Sequence, residues 1–447
     1  MVIRCKHLCR HVLENQHKLQ KFLQQQIRLC SRESVRAQPQ FEEPSYDSRP
    51  RIQKPDNNYV LHSADTGSES LQIEHSPHVG QLFRASDLRV RLASPTQLQP
   101  KPEVDDLAFG KFFTDHMLKI LWHRSLGGWQ KPEITPMENL VIHPAAKVLH
   151  YAVELFEGLK AYRGEDGRIR VFRPNMNMQR MNISAFRTGL PTFQASDLIQ
   201  CVNRLVSIDQ EWVPHQYGAS LYIRPTLIGI DPTLGVAASD SALLYAILCP
   251  VGDYFKADSD GAISLLADPR YTRAWPGGVG DRKMGSNYAP TIHVQREAAS
   301  KGLQQVLWLY GPDNELTEVG TMNIFMHYIN DQGEKELVTP PLNGLILPGI
   351  TRDSILRLAR QWNTCQVKEE KFTMDKIIRL VKEERLLELF GCGTACVVSP
   401  VNRIQYLGED IPIPTMQQHN PLFQQLKNEL SDIQYGRKAH PWAVLID

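Results

Sequence analysis

The sequence predicts a mixed α/β protein with two domains and a cofactor site between them. Strand-like and helix-like segments alternate from about Phe83 to the C-terminus, and a polar stretch, Asp253–Gly261, divides them into two series. Just beyond that stretch, Lys283 lies in the glycine-rich loop "GGVGDRKMGSNYAPT". Ligand sites in proteins of this class commonly lie at the interface of two domains.

The composition is that of an ordinary globular protein. The chain has 447 residues, 42% of them hydrophobic and 22% charged, with a formal net charge of +1. This near-neutral charge argues against a nucleic-acid partner. The longest apolar run, Ala242–Val251, is about half the roughly 20 residues that a membrane-spanning helix needs, so we predict a buried strand and no membrane span. Scattered cysteines favour a reducing compartment, and no Cys/His pattern predicts a metal site.

The N-terminal segment differs from the rest of the chain. Residues 1–36 are basic and poor in acids, and their apolar residues fall near helical spacing. This pattern is typical of a mitochondrial transit peptide, so we expect a mitochondrial protein. The alternatives are a surface or membrane-surface helix on a cytoplasmic protein. Residues 37–82 are rich in Pro, Ser, Asp, Asn and His, which predicts a polar, disordered linker.

We place a smaller α/β domain at residues 83–252, an interdomain linker at 253–261 and a large domain carrying Lys283 at 262–447. In the smaller domain, Glu157–Pro174 predicts a hairpin around "GEDG". Asn175–Thr188 predicts a helix that Gly189 ends. Two further strand-like runs follow, at Ser220–Ile230 and Ser241–Val251.

The large domain alternates strands and helices. Strand-like runs occur at Ala262–Ala267, Gln305–Tyr310, Thr321–Ile329 and Lys335–Pro340. Helical patterns cover Thr351–Trp362, with Thr351 as the expected N-cap, and Thr373–Phe390.

Two side chains and a helix start could carry chemistry. An amine must lose its proton to attack a carbonyl, and burial near another cation or apolar walls would lower the pKa of Lys283. Glu318, in "TEVGTMNIF", could face a pyridine nitrogen and keep it protonated. The alternatives are a solvated loop lysine and a turn-end glutamate. The helix start after Gly349, and the Gly/Thr turn "GCGTACVV", could each bind a phosphate.

Together these stretches resemble the class IV aminotransferases, which are pyridoxal-phosphate enzymes of fold type IV. Within that class the resemblance is closest to the branched-chain amino-acid aminotransferases of the animal type. It rests on "FEGLKAY", "KMGSNYAP", "EVGTMNIF" and "LVTPPLNGLILPGITR", and it extends from about Phe83 to the C-terminus.

The resemblance implies a pyridoxal 5'-phosphate site. Lys283 matches the lysine that bonds to the cofactor aldehyde and moves the substrate proton. Tyr288 matches the partner of the ring oxygen, and Glu318 matches the partner of the ring nitrogen. Arg180 matches a phosphate-binding arginine, whose guanidinium fork suits that group. The remaining contacts with phosphate or substrate carboxylate are implied for Thr321, Ile350, Thr351, Thr394 and Ala395.

The resemblance also implies a substrate pocket and a partner. Phe109, Tyr151, Phe156 and Tyr222 match positions that line the side-chain pocket, where leucine, isoleucine and valine would bind. Arg224 matches an arginine at the pocket edge that meets the second carboxylate of glutamate or 2-oxoglutarate. Tyr151 crosses from the partner subunit in the family, so a homodimer is implied.

The implied activity is amino transfer between branched-chain amino acids and 2-oxoglutarate, in biosynthesis or catabolism. The alternatives are a D-amino-acid transaminase, an aminodeoxychorismate lyase, or a homologue of this fold without activity. One departure is evident: mammalian relatives carry a redox C-x-x-C pair where this chain has Cys396 and Ser399. We therefore predict no disulfide switch at this pair, and whether Cys392 could substitute depends on geometry.

Overall fold

The structure, a computed structural model, describes residues 80–252 and 261–446. The predicted transit segment, nearly all of the polar linker, and residues 253–260 of the predicted interdomain linker lie outside these ranges. The domain boundaries stay a prediction.

The described residues contain nineteen strands. In chain order they are β1 (Arg89–Val90), β2 (His116–His123), β3 (Gly128–Trp129), β4 (Glu133–Pro136), β5 (Glu154–Phe156), β6 (Leu159–Arg163), β7 (Ile169–Phe172), β8 (Ser220–Gly229), β9 (Ser241–Val251), β10 (Ile263–Ala267), β11 (Gln305–Tyr310), β12 (Glu315–Val319), β13 (Met322–Ile329), β14 (Lys335–Thr339), β15 (Gln366–Glu369), β16 (Leu386–Gly393), β17 (Val397–Tyr406), β18 (Glu409–Pro412) and β19 (Ala443–Leu445).

Seven α-helices lie in the same ranges. They are α1 (Lys147–Tyr151), α2 (Pro174–Thr188), α3 (Ala195–Ile208), α4 (Thr291–Ser300), α5 (Ile350–Trp362), α6 (Met374–Lys382) and α7 (Leu422–Gln434). Helix α2 begins with a proline, whose missing N–H costs nothing in the first turn, and Gly189 ends it at φ 69°. None of the helices in the described ranges is long and apolar enough to cross a membrane.

The first sheet has ten strands in the order β1-β4-β2-β9-β8-β6-β7-β19, with β3 beside β2 and β5 beside β8. Its two longest strands, β8 and β9, pair antiparallel along their whole length and are largely buried. Strands buried on both faces read as nearly continuous apolar runs, which is how these two appear in the sequence. The last strand, β19, pairs antiparallel with β7, although the two strands are far apart along the chain.

The second sheet has nine strands in the order β12-β11-β10-β17-β16-β13-β14-β15, with β18 beside β17. Strand β12 also pairs with β13, so six of these strands close into a ring. Closure leaves no free edge on those six strands. Helices α5 and α7 share a buried apolar cluster with strands β13 and β16.

Most predicted elements are confirmed. The hairpin is formed by β6 and β7, and the Gly164 carbonyl accepts from the Gly167 N–H at 2.9 Å. The two strand-like runs near Ser220 and Ser241 are β8 and β9, and the four runs of the second half are β10, β11, β13 and β14.

Two predictions are wrong. The helix expected over Thr373–Phe390 ends as α6 at Lys382, and its second half is strand β16. Glu384 adopts a left-handed φ of 55°, which interrupts the helix, and β16 then pairs with β13 and β17. Sheet pairing therefore overrides the helical pattern. The N-cap of α5 is Gly349, so Thr351 lies inside the first turn instead of capping it.

Candidate active site

A cavity of about 270 Å³ takes residues from both sheets. Most of the residues that the sequence singled out line it. They are Phe109, Phe156, Arg180, Tyr222, Arg224, Lys283, Tyr288, Thr321, Ile350, Thr351, Thr394 and Ala395. Glu318 and Tyr151 are not among its lining residues.

Lys283 is anchored through its backbone to the first half of the chain. Its N–H donates to the Ser184 hydroxyl at 3.2 Å, and its carbonyl accepts from the Phe156 N–H at 3.0 Å. The side-chain amine lies 3.4 Å from the Tyr288 hydroxyl and 4.7 Å from the centre of the Phe156 ring. Burial, and the nearby charge of Arg180, lower the pKa of Lys283. These are the two conditions that make a lysine amine reactive.

The hydroxyl of Tyr288 is held in its neutral, hydrogen-bond-donating form. Burial, followed by the charge of Glu318, raises the pKa of Tyr288 well above its ordinary value. The ring packs against Phe156 with centroids 5.0 Å apart. A neutral phenol in this position can donate a hydrogen bond to an oxygen that carries negative charge.

Arg180 is clamped by a glutamate that the sequence analysis missed. Its Nε and one terminal nitrogen donate to the two carboxylate oxygens of Glu157, at 2.7 and 2.8 Å. Its other terminal nitrogen donates to the Pro348 carbonyl at 3.0 Å. Asn177 adds a hydrogen bond to Glu157 at 2.8 Å, and Glu157 is fully buried. The bidentate pair fixes the guanidinium on the cavity wall.

Glu318 lies buried beside the cavity, on strand β12. One carboxylate oxygen accepts from the Leu347 N–H at 2.7 Å and from the Asn323 amide at 3.4 Å. The other oxygen forms an ion pair with Arg273 at 3.1 Å. Burial raises the pKa of Glu318, and the charge of Arg273 opposes that rise. Both Leu347 and Asn323 line the cavity, so the carboxylate is adjacent to its wall.

Backbone groups form another part of the cavity lining. Helix α5 begins there, and its first N–H groups have no partner within the helix. Gly349 leaves room for the Asn323 side chain, because a Cβ at this position would lie 2.0 Å from the Asn323 side-chain oxygen and would force that side chain to move. The turn between β16 and β17 carries Thr394 and Ala395. Buried Lys160 holds this turn by donating to the Ala395 carbonyl at 2.8 Å.

Aromatic side chains form a further part of the cavity lining. Phe109 and Tyr222 meet edge to face, with centroids 4.9 Å apart. Arg224 donates to the Tyr222 hydroxyl at 3.1 Å, and its guanidinium carbon lies 4.7 Å from the Phe156 ring centre. The Nε of Arg224 is buried without a hydrogen-bond partner. This part of the lining therefore combines apolar surface with one cation.

Tyr151 lies elsewhere in this single chain. It ends helix α1, is 38% exposed, and donates to the Leu234 carbonyl. Nearby apolar side chains are also exposed: Leu149 on α1, Val141 before α1, and Val236 close to Leu234. No group of three or more His, Cys, Asp or Glu side chains in the described ranges could hold a metal ion.

The sequence analysis missed several residues that line or contact the site, among them Glu157, Lys160, Asn177, Arg273 and Asn323. Glu157 and Lys160 are charged residues within the largely apolar stretch "ELFEGLKAY". Charged residues in a stretch that is expected to be buried indicate a special role, so this pattern could have identified both. Asn177 and Arg273 have polar neighbours in the sequence, and no local pattern distinguishes them as site residues.

Comparison with known proteins identifies the family. A sequence model described as amino-transferase class IV matches residues 154–404. The chain is 54% identical over 369 residues to the cytosolic branched-chain-amino-acid aminotransferase of Mus musculus, covering 83% of this chain and 95% of that protein. The chain belongs to the branched-chain-amino-acid aminotransferase family.

The mitochondrial branched-chain-amino-acid aminotransferase of Mus musculus is 52% identical over 364 residues, covering 81% of this chain and 92% of that protein. The relatives of this chain thus include a cytosolic form and a mitochondrial form. Their similarity to the chain does not indicate which of the two locations applies to it. The crystal structure of the Escherichia coli branched-chain amino acid aminotransferase covers 73% of this chain and 99% of its own, with a TM-score of 0.60 and 24% identity. This likeness concerns the fold, and it confirms the predicted fold class.

Proposed function

We propose that the protein is a pyridoxal-phosphate-dependent transaminase that moves amino groups between branched-chain amino acids and 2-oxoglutarate. The observation that carries this proposal is the Lys283 amine, which lines a cavity of about 270 Å³, lies 3.4 Å from the Tyr288 hydroxyl and has its pKa lowered by burial and by the charge of Arg180. Membership of the branched-chain-amino-acid aminotransferase family supports it.

The residues present fit pyridoxal 5'-phosphate. Arg180 and the free N–H groups at the start of α5 suit a phosphate, because a helix N-terminus and a fixed guanidinium both favour anions. Glu318 is held as an acceptor next to the wall, which suits a protonated ring nitrogen. When bound, the cofactor supplies an electron sink for the carbanion formed at the substrate α-carbon.

Each side chain then has a defined task. Lys283 would hold the cofactor and, as a free amine, would accept and return the substrate α-proton at its Nζ atom. Its lowered pKa makes the neutral amine available for this proton transfer. Tyr288, Thr351 and Thr394 all line the cavity. Tyr288 would donate to the ring oxygen, and Thr351 and Thr394 would hold the phosphate or the substrate carboxylate.

Substrate choice follows from packing. Phe109, Phe156 and Tyr222 offer apolar surface to a branched side chain. One methylene changes binding in such a pocket by only about 1–3 kcal/mol, so leucine, isoleucine and valine are all expected substrates. Arg224, with its unpartnered buried Nε, is the group that meets the second carboxylate of 2-oxoglutarate.

The functional unit is a homodimer in this proposal. Leu149, Leu234 and Val236 are 56%, 62% and 84% exposed, and they lie on the two segments that Tyr151 joins. Exposed apolar clusters of this kind are typical of subunit interfaces. Sedimentation at increasing dilution tests the dimer, and Val236→Asp is expected to shift it towards monomer. A monomeric wild-type protein with full activity would contradict it.

We further propose a mitochondrial location, on the basis of the basic segment 1–36. Fusing residues 1–36 to a fluorescent protein should direct it to mitochondria. Fluorescence that stays in the cytosol, while the full chain is active, would favour the cytoplasmic alternative.

An amino-donor panel tests the activity. Purified protein supplied with pyridoxal phosphate and 2-oxoglutarate should form glutamate from L-leucine, L-isoleucine and L-valine. Turnover with D-alanine alone would favour a D-amino-acid transaminase, and pyruvate release from aminodeoxychorismate without any 2-oxo acid would favour a lyase. Failure with every donor would favour a homologue without activity.

A further inference from the structure

Arg273 is a buried cation next to the candidate site, in the loop that leads from β10 to Lys283. Its side chain is 6% exposed, and a guanidinium stays charged in proteins. A buried charge is costly unless an opposite charge is close. Within residues 80–252 and 261–446, Glu318 is the acidic side chain within 4.0 Å of Arg273, at 3.1 Å.

The geometry around Glu318 requires a carboxylate. Its first oxygen accepts from Leu347 and Asn323, and its second faces the cation of Arg273. A protonated carboxyl would have to place its proton against one of these donors. The other contacts of Arg273 are to the carbonyls of Leu345 and Gly280, at 2.8 and 3.3 Å, and these carry no full charge.

Arg273 also joins three parts of the site. Gly280 belongs to the loop of Lys283, Leu345 to the segment that leads into helix α5, and Glu318 to strand β12. The packing at Gly280 is tight, because a Cβ there would lie 2.3 Å from the Ala274 side chain. One guanidinium therefore sets both the position and the charge of the glutamate.

We propose that Arg273 is a positioning residue: its buried guanidinium keeps Glu318 ionised and aimed at the cavity, so that Glu318 can balance a protonated ring nitrogen. This inference rests on the proposed function for the role of the ring nitrogen. The Arg273–Glu318 coupling itself does not depend on the cofactor.

Other titratable groups also act on Glu318. They are Lys283, Arg180, Tyr288 and Cys392. Burial raises the pKa of Glu318, and Arg273 is the largest influence in the opposite direction. Without Arg273, Glu318 would take up a proton at a higher pH, and a neutral carboxyl could no longer keep a pyridine nitrogen protonated.

A double-mutant comparison of thermal stability tests the coupling in the full chain without added cofactor. In Arg273→Gln, the pKa of Glu318 in the folded protein rises further above its unfolded value. A raised pKa gives stability that is present at low pH and is lost as pH rises through the folded pKa. Arg273→Gln should therefore lower the melting temperature more at about pH 8 than at about pH 5.

The same substitution in a Glu318→Gln background should show no such pH dependence, since the titrating group is gone. Arg270→Gln, an exposed arginine of the same loop, is the control and should show no such dependence either. A loss in Arg273→Gln that is equal at both pH values, or that persists in the Glu318→Gln background, would overturn the proposal. If Arg273→Gln does not fold, Arg273→Gln/Glu318→Gln should fold because it buries neither charge, and its failure to fold would also overturn it.

A second measurement addresses the ring nitrogen. With pyridoxal phosphate bound, the absorption spectrum of Arg273→Gln should shift towards that of Glu318→Gln. The kcat should fall by roughly 10- to 100-fold, which is the range seen when residues that orient the ligands of a metal ion are replaced. Arg273→Lys should restore most of the wild-type spectrum. A wild-type spectrum in Arg273→Gln would overturn this role. Failure of the wild type to bind the cofactor would instead refute the proposed function and leave the stability test intact.

Discussion

The two walls of the cavity differ in the kind of group that they supply. The first half of the chain contributes long side chains on strands and on α2, chiefly Arg180, Tyr222 and Arg224. The second half contributes mostly backbone and small residues, at the start of α5 and in the turn that carries Thr394. The second half also contributes large side chains, including Lys283 and Tyr288, and Lys283 is held through its backbone by Ser184 and Phe156 of the first half.

Apart from Arg180, which we assign to the cofactor phosphate, this difference separates recognition of the substrate from attachment of the cofactor. Backbone N–H groups at a helix start are fixed by the fold and suit a group that is always the same, such as a phosphate. Aromatic and guanidinium side chains on the other wall can distinguish one substrate side chain from another. Substitutions on the two walls should therefore have different effects on cofactor and substrate, and the predictions below test that separation.

The largest effect is expected where the two walls meet. Lys283→Ala removes the amine that holds the cofactor and transfers the proton, so kcat should fall by at least about 10⁴-fold. Steady-state kinetics with L-leucine and 2-oxoglutarate measure this loss. Lys301→Ala, at an exposed helix end, is the control and should keep wild-type rates. A residual rate within about tenfold of wild type would show that Lys283 is not the proton carrier.

The second largest effect concerns the buried pair on the first wall. Arg180→Met leaves Glu157 charged and unpaired, so the free energy of unfolding should fall by about 3–5 kcal/mol, measured in urea. Cofactor affinity should fall as well, because the phosphate loses its guanidinium. Glu157→Gln/Arg180→Met should regain most of the stability and none of the affinity. Recovery of both would mean that Arg180 has only a structural role.

The third effect should fall on one substrate only. Arg224→Gln removes the cation that meets the second carboxylate, so KM for 2-oxoglutarate should rise by about 10- to 100-fold, the worth of a charge-assisted hydrogen bond. KM for L-leucine should change much less, since its side chain meets the aromatic wall. Arg204→Gln, exposed on α3, serves as the control. Equal changes for both substrates would mean that the walls do not divide their tasks.

The smallest effect is expected for Cys396. Burial raises the pKa of both Cys392 and Cys396, so neither thiol is a ready thiolate, and Ser399 cannot pair with Cys396. Cys396→Ser should therefore keep its rate, and mild peroxide should affect it as it affects wild type. Reversible loss of activity in wild type that is absent from Cys396→Ser would contradict this prediction.

Local patterns predicted much of the fold, and the family resemblance predicted most of the residues that line the cavity. Strands β8 and β9 appear as apolar runs, and α2 carries both its starting proline and its terminal glycine. The error at Thr373–Phe390 arose because β16 has a helix-like pattern, and only its pairing with β13 and β17 makes it a strand. Such long-range pairing has no local signal.

Contacts between segments that are distant along the chain also could not be predicted from the sequence. The clamp of Arg180 by Glu157 spans 23 positions, and the ion pair between Arg273 and Glu318 joins a loop to a strand across the lysine segment. In the proposed homodimer, the place of Tyr151 in the site would depend on a second subunit. Residue types alone do not fix any of these contacts.

The central claim is that one amine in this chain holds the cofactor. Protein supplied with pyridoxal phosphate, reduced with borohydride and digested, should carry the pyridoxyl label on the peptide that contains Lys283, and Lys283→Ala should take up none at any position. A label on another lysine, or equal labelling of the variant, would contradict the account.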